Sequence, residues 1–244
     1  MHEALKDWHN YFVQNSTNRG DFTWDTEERL TAEERRCIGK SIAAFQLGEH
    51  SEGKGLLKAA DSFAKSKNNP YLSPITKLFI AEEQNHALLL RKFMELNGIA
   101  LMKHNWTDSI FRRLRKNVGF ELSITVLITA EIISLVYYDA LKNATKSNLL
   151  KNICGKVLAD EKAHVKYESE LLGLIRPTNS VFRRALLPFL HRILLVGTVL
   201  VVYLSHRKVL NRGRYDLPNF IAACWLEFSN CFPSALVVRA SANA

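Results

Sequence analysis

Turn formers are scarce in this chain: 11 glycines and 6 prolines are spread over 244 residues. A chain with so few reversal points favours a small number of long elements, and an all-β reading finds no support. The four cysteines (Cys37, Cys154, Cys224 and Cys231) include no CxxC pair. That removes the case for a zinc ribbon or a thioredoxin-type redox site. The first residues, MHEALKDWHNYF, lack the basic start and apolar run of a secretory signal. A reducing, cytoplasmic setting is therefore expected, with the cysteines buried as small apolar side chains. No Ser-His-Asp or phosphate-cradling pattern is present.

Hydrophobic residues make up 47% of the chain and charged ones 23%, ordinary values for a folded domain with a sizeable core. The formal charge is +9, with basic residues clustered in FRRLRK (111–116), FRR (182–184) and the HRK and NRGR stretches of 206–214. No nucleic-acid motif surrounds them, and nucleic acid is not an expected partner. They read as a solvated surface, with an anionic membrane surface or an acidic partner as the alternative.

The spacing of apolar residues predicts an all-α fold in three parts: a lead-in over 1–30, a four-helix bundle over 31–177 and an apolar helical extension over 178–244. The lead-in is polar, with aromatic anchors at Trp8, Phe12 and Trp24. Thr31 with Glu34 forms a capping box. From there Ile38, Ile42, Phe45, Glu49, Glu52, Leu56, Ala59 and Phe63 follow one helical seam. Ser73-Pro74 fits the start of a second helix, with Thr76, Phe79, Glu83, His86, Leu90 and Phe93 on one face and Gly98 at its end. DSIFRRLRK (108–116) reads as a short basic amphipathic helix. A third helix is expected over about 119–143 and a fourth from Ser147-Asn148 to Arg176-Pro177. Residues 186–204 are apolar over nearly a bilayer's width, but Pro188, His191 and Arg192 interrupt them. A fifth helix buried against the bundle is the first expectation, and attachment to a membrane surface the second. A last helix is expected over 217–229.

Two Glu-x-x-His motifs, Glu83-Gln84-Asn85-His86 and Glu161-Lys162-Ala163-His164, lie within these seams. Residues three apart share a helix face, so each motif projects a carboxylate and an imidazole together. A bundle that holds two metal ions needs that unit twice, plus one carboxylate from each of two further helices. Glu131 precedes Glu161 by 30 residues; Glu52 precedes Glu83 by 31 and Glu49 precedes it by 34. Each offset suits a helical hairpin that returns its acid to the level of the motif. Glu131 lies in ITVLITAEIISLVYY, which leaves it no polar face, and a carboxylate buried there requires a cation or hydrogen-bond partner. Carboxylate and imidazole ligands suit two Fe ions, with Mn or a mixed Mn/Fe pair as alternatives.

This arrangement over residues 49–164 resembles the ferritin-like non-haem di-iron carboxylate superfamily. AFQLGE (44–49) resembles the rubrerythrin segment around its first ligand and favours Glu49, whereas spacing symmetry favours Glu52. Glu131 with Tyr138, followed by ADEKAHVKYE (159–168), is similar to aldehyde-deformylating oxygenases. The resemblance implies a ferritin-like bundle and an oxidase or oxygenase that activates O2 to attack a lipophilic small molecule, with Tyr138 beside the metals. An electron donor is required, and a homodimer is compatible with it.

The competing readings are iron oxidation or peroxide removal, as in bacterioferritin or rubrerythrin, and a membrane-surface protein with a structural metal site. Against the former, the position three residues after Glu131 is Ser134, where rubrerythrins carry a further carboxylate. Phe45, Phe79, Leu135 and Tyr138 are candidates to line a lipophilic pocket. Glu82, Asp160 and Glu168 are read as outer positions, with a solvated role expected for the first two. His50, His104, His191 and His206 are expected not to be ligands.

Overall fold

A computed structural model describes residues 1–24, 29–50, 53–104 and 119–232. The described residues are helical with no strand: α1 (His2–Asn15), α2 (Ala32–Glu49), α3 (Lys54–Ser66), α4 (Leu72–Leu96), α5 (Phe120–Ala144), α6 (Asn148–Ile175), a 3-10 turn (Arg176–Thr178), α7 (Val181–Arg212) and α8 (Leu217–Cys231). The expected basic helix at 108–116 and the candidate ligand Glu52 lie outside the described residues.

Local chemistry sets most boundaries. Thr31 and Glu34 close the capping box, each side chain satisfying the other's backbone N–H. Glu34 also accepts the Lys146 N–H at 2.8 Å, which ties the start of α2 to the α5–α6 turn. The Ser147 hydroxyl accepts the Leu150 N–H and opens α6. At the end of α4, Gly98 takes φ +62° and the Ile99 N–H reaches back to the Met94 carbonyl. This left-handed closure satisfies carbonyls that the last turn leaves free.

Three expectations about the elements change. The lead-in is not merely polar: α1 packs on α4 and buries Leu5 and Phe12. The first bundle helix is not continuous, because α2 stops at Glu49 and α3 begins at Lys54 after Gly53 at φ +61°. A Cβ on Gly53 would run into the Ile80 side chain, so glycine both permits the left-handed backbone and lets α4 approach. Finally, α4 begins one residue before Ser73, and Asn69 rather than Ser73 supplies the side-chain cap: its Oδ1 accepts the N–H groups of Tyr71 and Leu72.

The core is built from pairwise contacts of α2 with α4, α4 with α6, and α5 with α6. Helix α5 is apolar nearly all round and buried along almost its whole length, as expected of a central rod surrounded by other helices. It meets α6, α3, α7 and α8. At the far end of α7, Arg212 donates to the Ala144 carbonyl and Gly213 lies against the backbone of Ala140. Only a residue without a side chain fits that approach. The expectation of a buried fifth helix over 186–204 holds for one side only: α7 buries an arc against α5 and α2 and leaves the opposite arc in solvent. All four cysteines are free; Cys154 and Cys224 are buried, and Cys37 and Cys231 are half-buried.

Candidate metal centre

Four helices deliver six side chains to one interior point. Glu49 comes from the last turn of α2, Glu83 and His86 from the middle of α4, Glu131 from α5, and Glu161 and His164 from α6. They form two overlapping groups, Glu49–Glu83–His86–Glu161 and Glu83–Glu131–Glu161–His164. In each, the candidate ligand atoms lie within 4.8 Å of one another. Glu83 and Glu161 belong to both.

The shared acids sit between the two imidazoles. His86 Nδ1 lies 3.5 Å from Glu83 Oε1 and 3.5 Å from Glu161 Oε1. His164 Nδ1 lies 3.2 Å from the same Glu83 oxygen and 3.4 Å from Glu161 Oε2. Glu161 thus turns one oxygen toward each half of the cluster. These separations or their angles fall short of hydrogen bonds, and Glu83 Oε1, both Glu161 oxygens and the two Nδ1 atoms are buried without a hydrogen-bond partner. Native interiors rarely leave one such atom unsatisfied. Five facing one another form a group that could hold a metal ion.

The outer side of each imidazole is occupied, and the occupancy is crossed. His86 Nε2 meets Asp160 Oδ2 at 2.9 Å, and His164 Nε2 meets Glu82 Oε2 at 2.8 Å. Each acid precedes the other helix's motif. Ionised carboxylates only accept, so both histidines must carry hydrogen on Nε2, which leaves the Nδ1 lone pair of the neutral ring pointing inward. Asn15 at the end of α1 donates to both acids, at 2.9 Å to Glu82 Oε1 and 3.0 Å to Asp160 Oδ1. Lys156 adds a contact of 2.6 Å to Asp160. The solvated role expected for Glu82 and Asp160 is therefore wrong; they are 8% and 3% exposed. The signal was present in the sequence: in both motifs an acid stands four residues before the histidine.

Tyr138 donates its hydroxyl hydrogen to Glu49 Oε1 at 2.7 Å, so it fixes one oxygen of that carboxylate. Phe79 packs against the His164 ring with centroids 4.6 Å apart, and Phe12 of α1 stacks beside the same ring. Phe45 lies flat on Tyr137 and edge-on to Tyr138. Leu135 is buried in the core. These residues make the surroundings of the cluster largely apolar, although Glu83 keeps 15% of its side chain accessible, and a lowered dielectric sharpens the charges within it.

The electrostatics of the cluster calls for positive charge. Burial and the charges of Glu83 and Glu161 push Glu49 well above the usual carboxylate range, and burial with the same two neighbours does so for Glu131. Burial works against charge on Glu83 as well, but the adjoining imidazoles of His164 and His86, at ion-pair distance, outweigh it and pull Glu83 down. The imidazoles would be lowered by burial, yet Asp160, Glu161 and Glu83 raise His86, and Glu161, Glu82 and Glu83 raise His164. Protons do in this interior what a metal pair would do: four carboxylates with two neutral imidazoles balance two divalent cations.

Among the other histidines, His191 accepts from Arg176 on Nδ1 and contacts Thr129, while His206 Nδ1 meets the Ser41 hydroxyl at 2.7 Å. Both are buried away from the cluster's acids. Burial depresses His206 to about 4, and burial with the Arg176 and Arg192 charges depresses His191 to about 3. A folded state that resists protonation loses stability as pH falls from the ordinary imidazole value of about 6.5 toward those values. His206→Gln should flatten this loss by up to roughly 3 kcal/mol, at about 1.4 kcal/mol for each pH unit between the two values. Urea unfolding of the variant and parent at pH 7 and pH 4.5 measures the difference; parallel curves would refute the assignment.

No family model, curated protein or solved structure matches this chain.

Proposed function

We propose that this chain is a di-metal oxidoreductase, with α2, α4, α5 and α6 arranged as a ferritin-like four-helix bundle around two iron ions. The observation that carries this reading is the convergence of five unsatisfied buried polar atoms on one point, inside a frame of outer carboxylates that orients both imidazoles. Glu49 and His86 would hold one ion, Glu131 and His164 the other, and Glu83 and Glu161 both. The redox part of the reading rests on the resemblance of residues 49–164 to the di-iron carboxylate superfamily. When bound, two ferrous ions would supply electrons and Lewis acidity for the reduction of O2, with a lipophilic compound as the proposed substrate and an external donor restoring the ferrous state.

The protein's own contributions to that chemistry follow from the geometry. Asp160 and Glu82 hold the imidazoles in the tautomer that faces inward. Tyr138 fixes one Glu49 oxygen and places an O–H within hydrogen-bond reach of a ligand, where it can hold or deliver a proton. Phe12 and Phe79 pack on the His164 ring and lower the polarity around it.

Anaerobic purification followed by metal analysis tests the reading: two ions per chain are expected, followed by O2 uptake and an absorbance change when air is admitted. Because His86 and His164 hold protons in the metal-free protein, uptake of ferrous or manganous ion should release protons and tighten as pH rises. A pH-stat titration showing no proton release, or metal bound at well below one ion per chain, would remove the basis of the proposal.

A further inference from the structure

We infer that the outer face of α7 docks on an anionic lipid bilayer, lying along its surface rather than crossing it. Of the large apolar side chains exposed on the described surface, most belong to α7 and α8. On α7 they are ordered. Phe182, Phe189, Ile193, Val196, Leu200 and Leu204 are exposed, with Phe182 at 73%, Phe189 at 58% and Leu204 at 69%. Their spacings keep them within a stripe of roughly 80° that runs about 33 Å along the helix. The opposite arc, including Leu195, Val199, Val202 and Val209, is buried. One arc is thus committed to the protein over most of the helix, so the other is presented lengthwise. Such a stripe exceeds the scattered apolar exposure normal for a soluble surface. Helix α8, packed against α7, exposes Ile221, Trp225 and Leu226 in addition.

Charge decides what the stripe meets. Helix α7 has no acidic residue, and its exposed cations gather toward both ends, Arg183 and Arg184 in the first turn and Arg207 and Lys208 near the last, with Arg192 alone between them at the margin of the stripe. A second copy laid on the stripe, in either direction, would bring cations against cations with no acid on either helix to relieve them. The stripe offers no hydrogen-bonding side chain with which a folded partner could be distinguished. Hydrocarbon beneath anionic headgroups satisfies both features: the apolar residues enter the acyl boundary while the terminal cations meet the headgroups. The docking stands independently of the metal centre, whose ligands lie on other helices; what it adds is access to molecules dissolved in the bilayer.

Flotation of the full chain with vesicles tests the inference. Binding to phosphatidylcholine vesicles containing phosphatidylglycerol is expected, weakening with added salt, with little binding to phosphatidylcholine alone. Replacing Arg183, Arg184, Arg207 and Lys208 by Gln should weaken binding roughly fivefold for each cation removed. A Phe189→Glu, Ile193→Glu, Leu200→Glu variant should lose it altogether, with helicity and metal content equal to the parent's. Phe189→Trp, a gentler change, should give fluorescence quenched by brominated lipid. Undiminished flotation of the triple variant, or no quenching, would overturn the inference. So would a parent that ignores vesicles and sediments as a dimer that the triple variant dissociates, because the stripe would then be a subunit interface.

Discussion

Replacing Glu161 by Ala should abolish binding of both metal ions, whereas Glu131→Ala should leave one. The asymmetry follows from membership: Glu161 has an oxygen toward each imidazole, while Glu131 belongs to one group only. Glu161 is wholly buried, with both oxygens lacking a hydrogen-bond partner. Losing it removes a negative charge from between the two sites, so neither cation keeps its charge balance. A structural carboxylate would predict the reverse cost. With no cation present, burial and like-charged neighbours hold Glu131 protonated, so folding at neutral pH must take up a proton that the unfolded chain does not carry, and Gln removes that cost. Metal-free Glu131→Gln is therefore expected to be more stable than the metal-free parent, by about 1–3 kcal/mol. Metal content per chain, read together with denaturant midpoints of metal-free samples, separates the outcomes. Two ions retained by Glu161→Ala would show that the cluster is not the binding site.

Loading the centre should shift the melting temperature further than either glutamate substitution does. A ligand that binds only the folded state stabilises it by about 4 kcal/mol per site at a thousandfold excess over Kd. For a chain of this size each kcal/mol is worth roughly 2–4 °C, so two filled sites imply a rise on the order of 20 °C. The gain has a specific origin: the cations replace protons that the metal-free interior holds on His86, His164, Glu49 and Glu131. Calorimetric scans before and after ferrous or manganous loading, with a chelator reversal, measure it. The Glu161→Ala variant should show no comparable rise. An equal rise in that variant would place the stabilising metal elsewhere.

Much of this centre could be read from periodicity. Glu83, His86, Glu131, Glu161 and His164 recur at helical spacing inside apolar faces, and the burial of Glu131 followed from neighbours that leave it no wet side. Between Glu49 and Glu52 the two signals disagreed, spacing symmetry favouring Glu52 and the AFQLGE segment Glu49, and both fit a seam that reads as unbroken. The chain in fact leaves the helix after Glu49 and resumes at Lys54, and the apolar register survives the interruption, which hides it from any count of intervals. What periodicity missed was pairing across helices. Glu82 and Asp160 look like outward neighbours of the ligands when each helix is viewed alone; only the approach of α4 to α6 turns them into partners of the opposite imidazole. Helix α1 was hidden for a related reason. Its composition is polar, and its value to the fold lies in a few contacts, with Phe12 against His164 and Asn15 bridging both outer acids.

The crossed arrangement of the outer acids also bears on how such a centre can be borrowed or altered. A designer who transplants α4 into another scaffold carries an imidazole without its orienting acid, and an acid without its imidazole; α6 alone has the complementary defect. The smallest transferable cassette is therefore the pair of rods, held at the spacing that lets each brace its neighbour. A slip of one against the other by a single turn would disable both halves together.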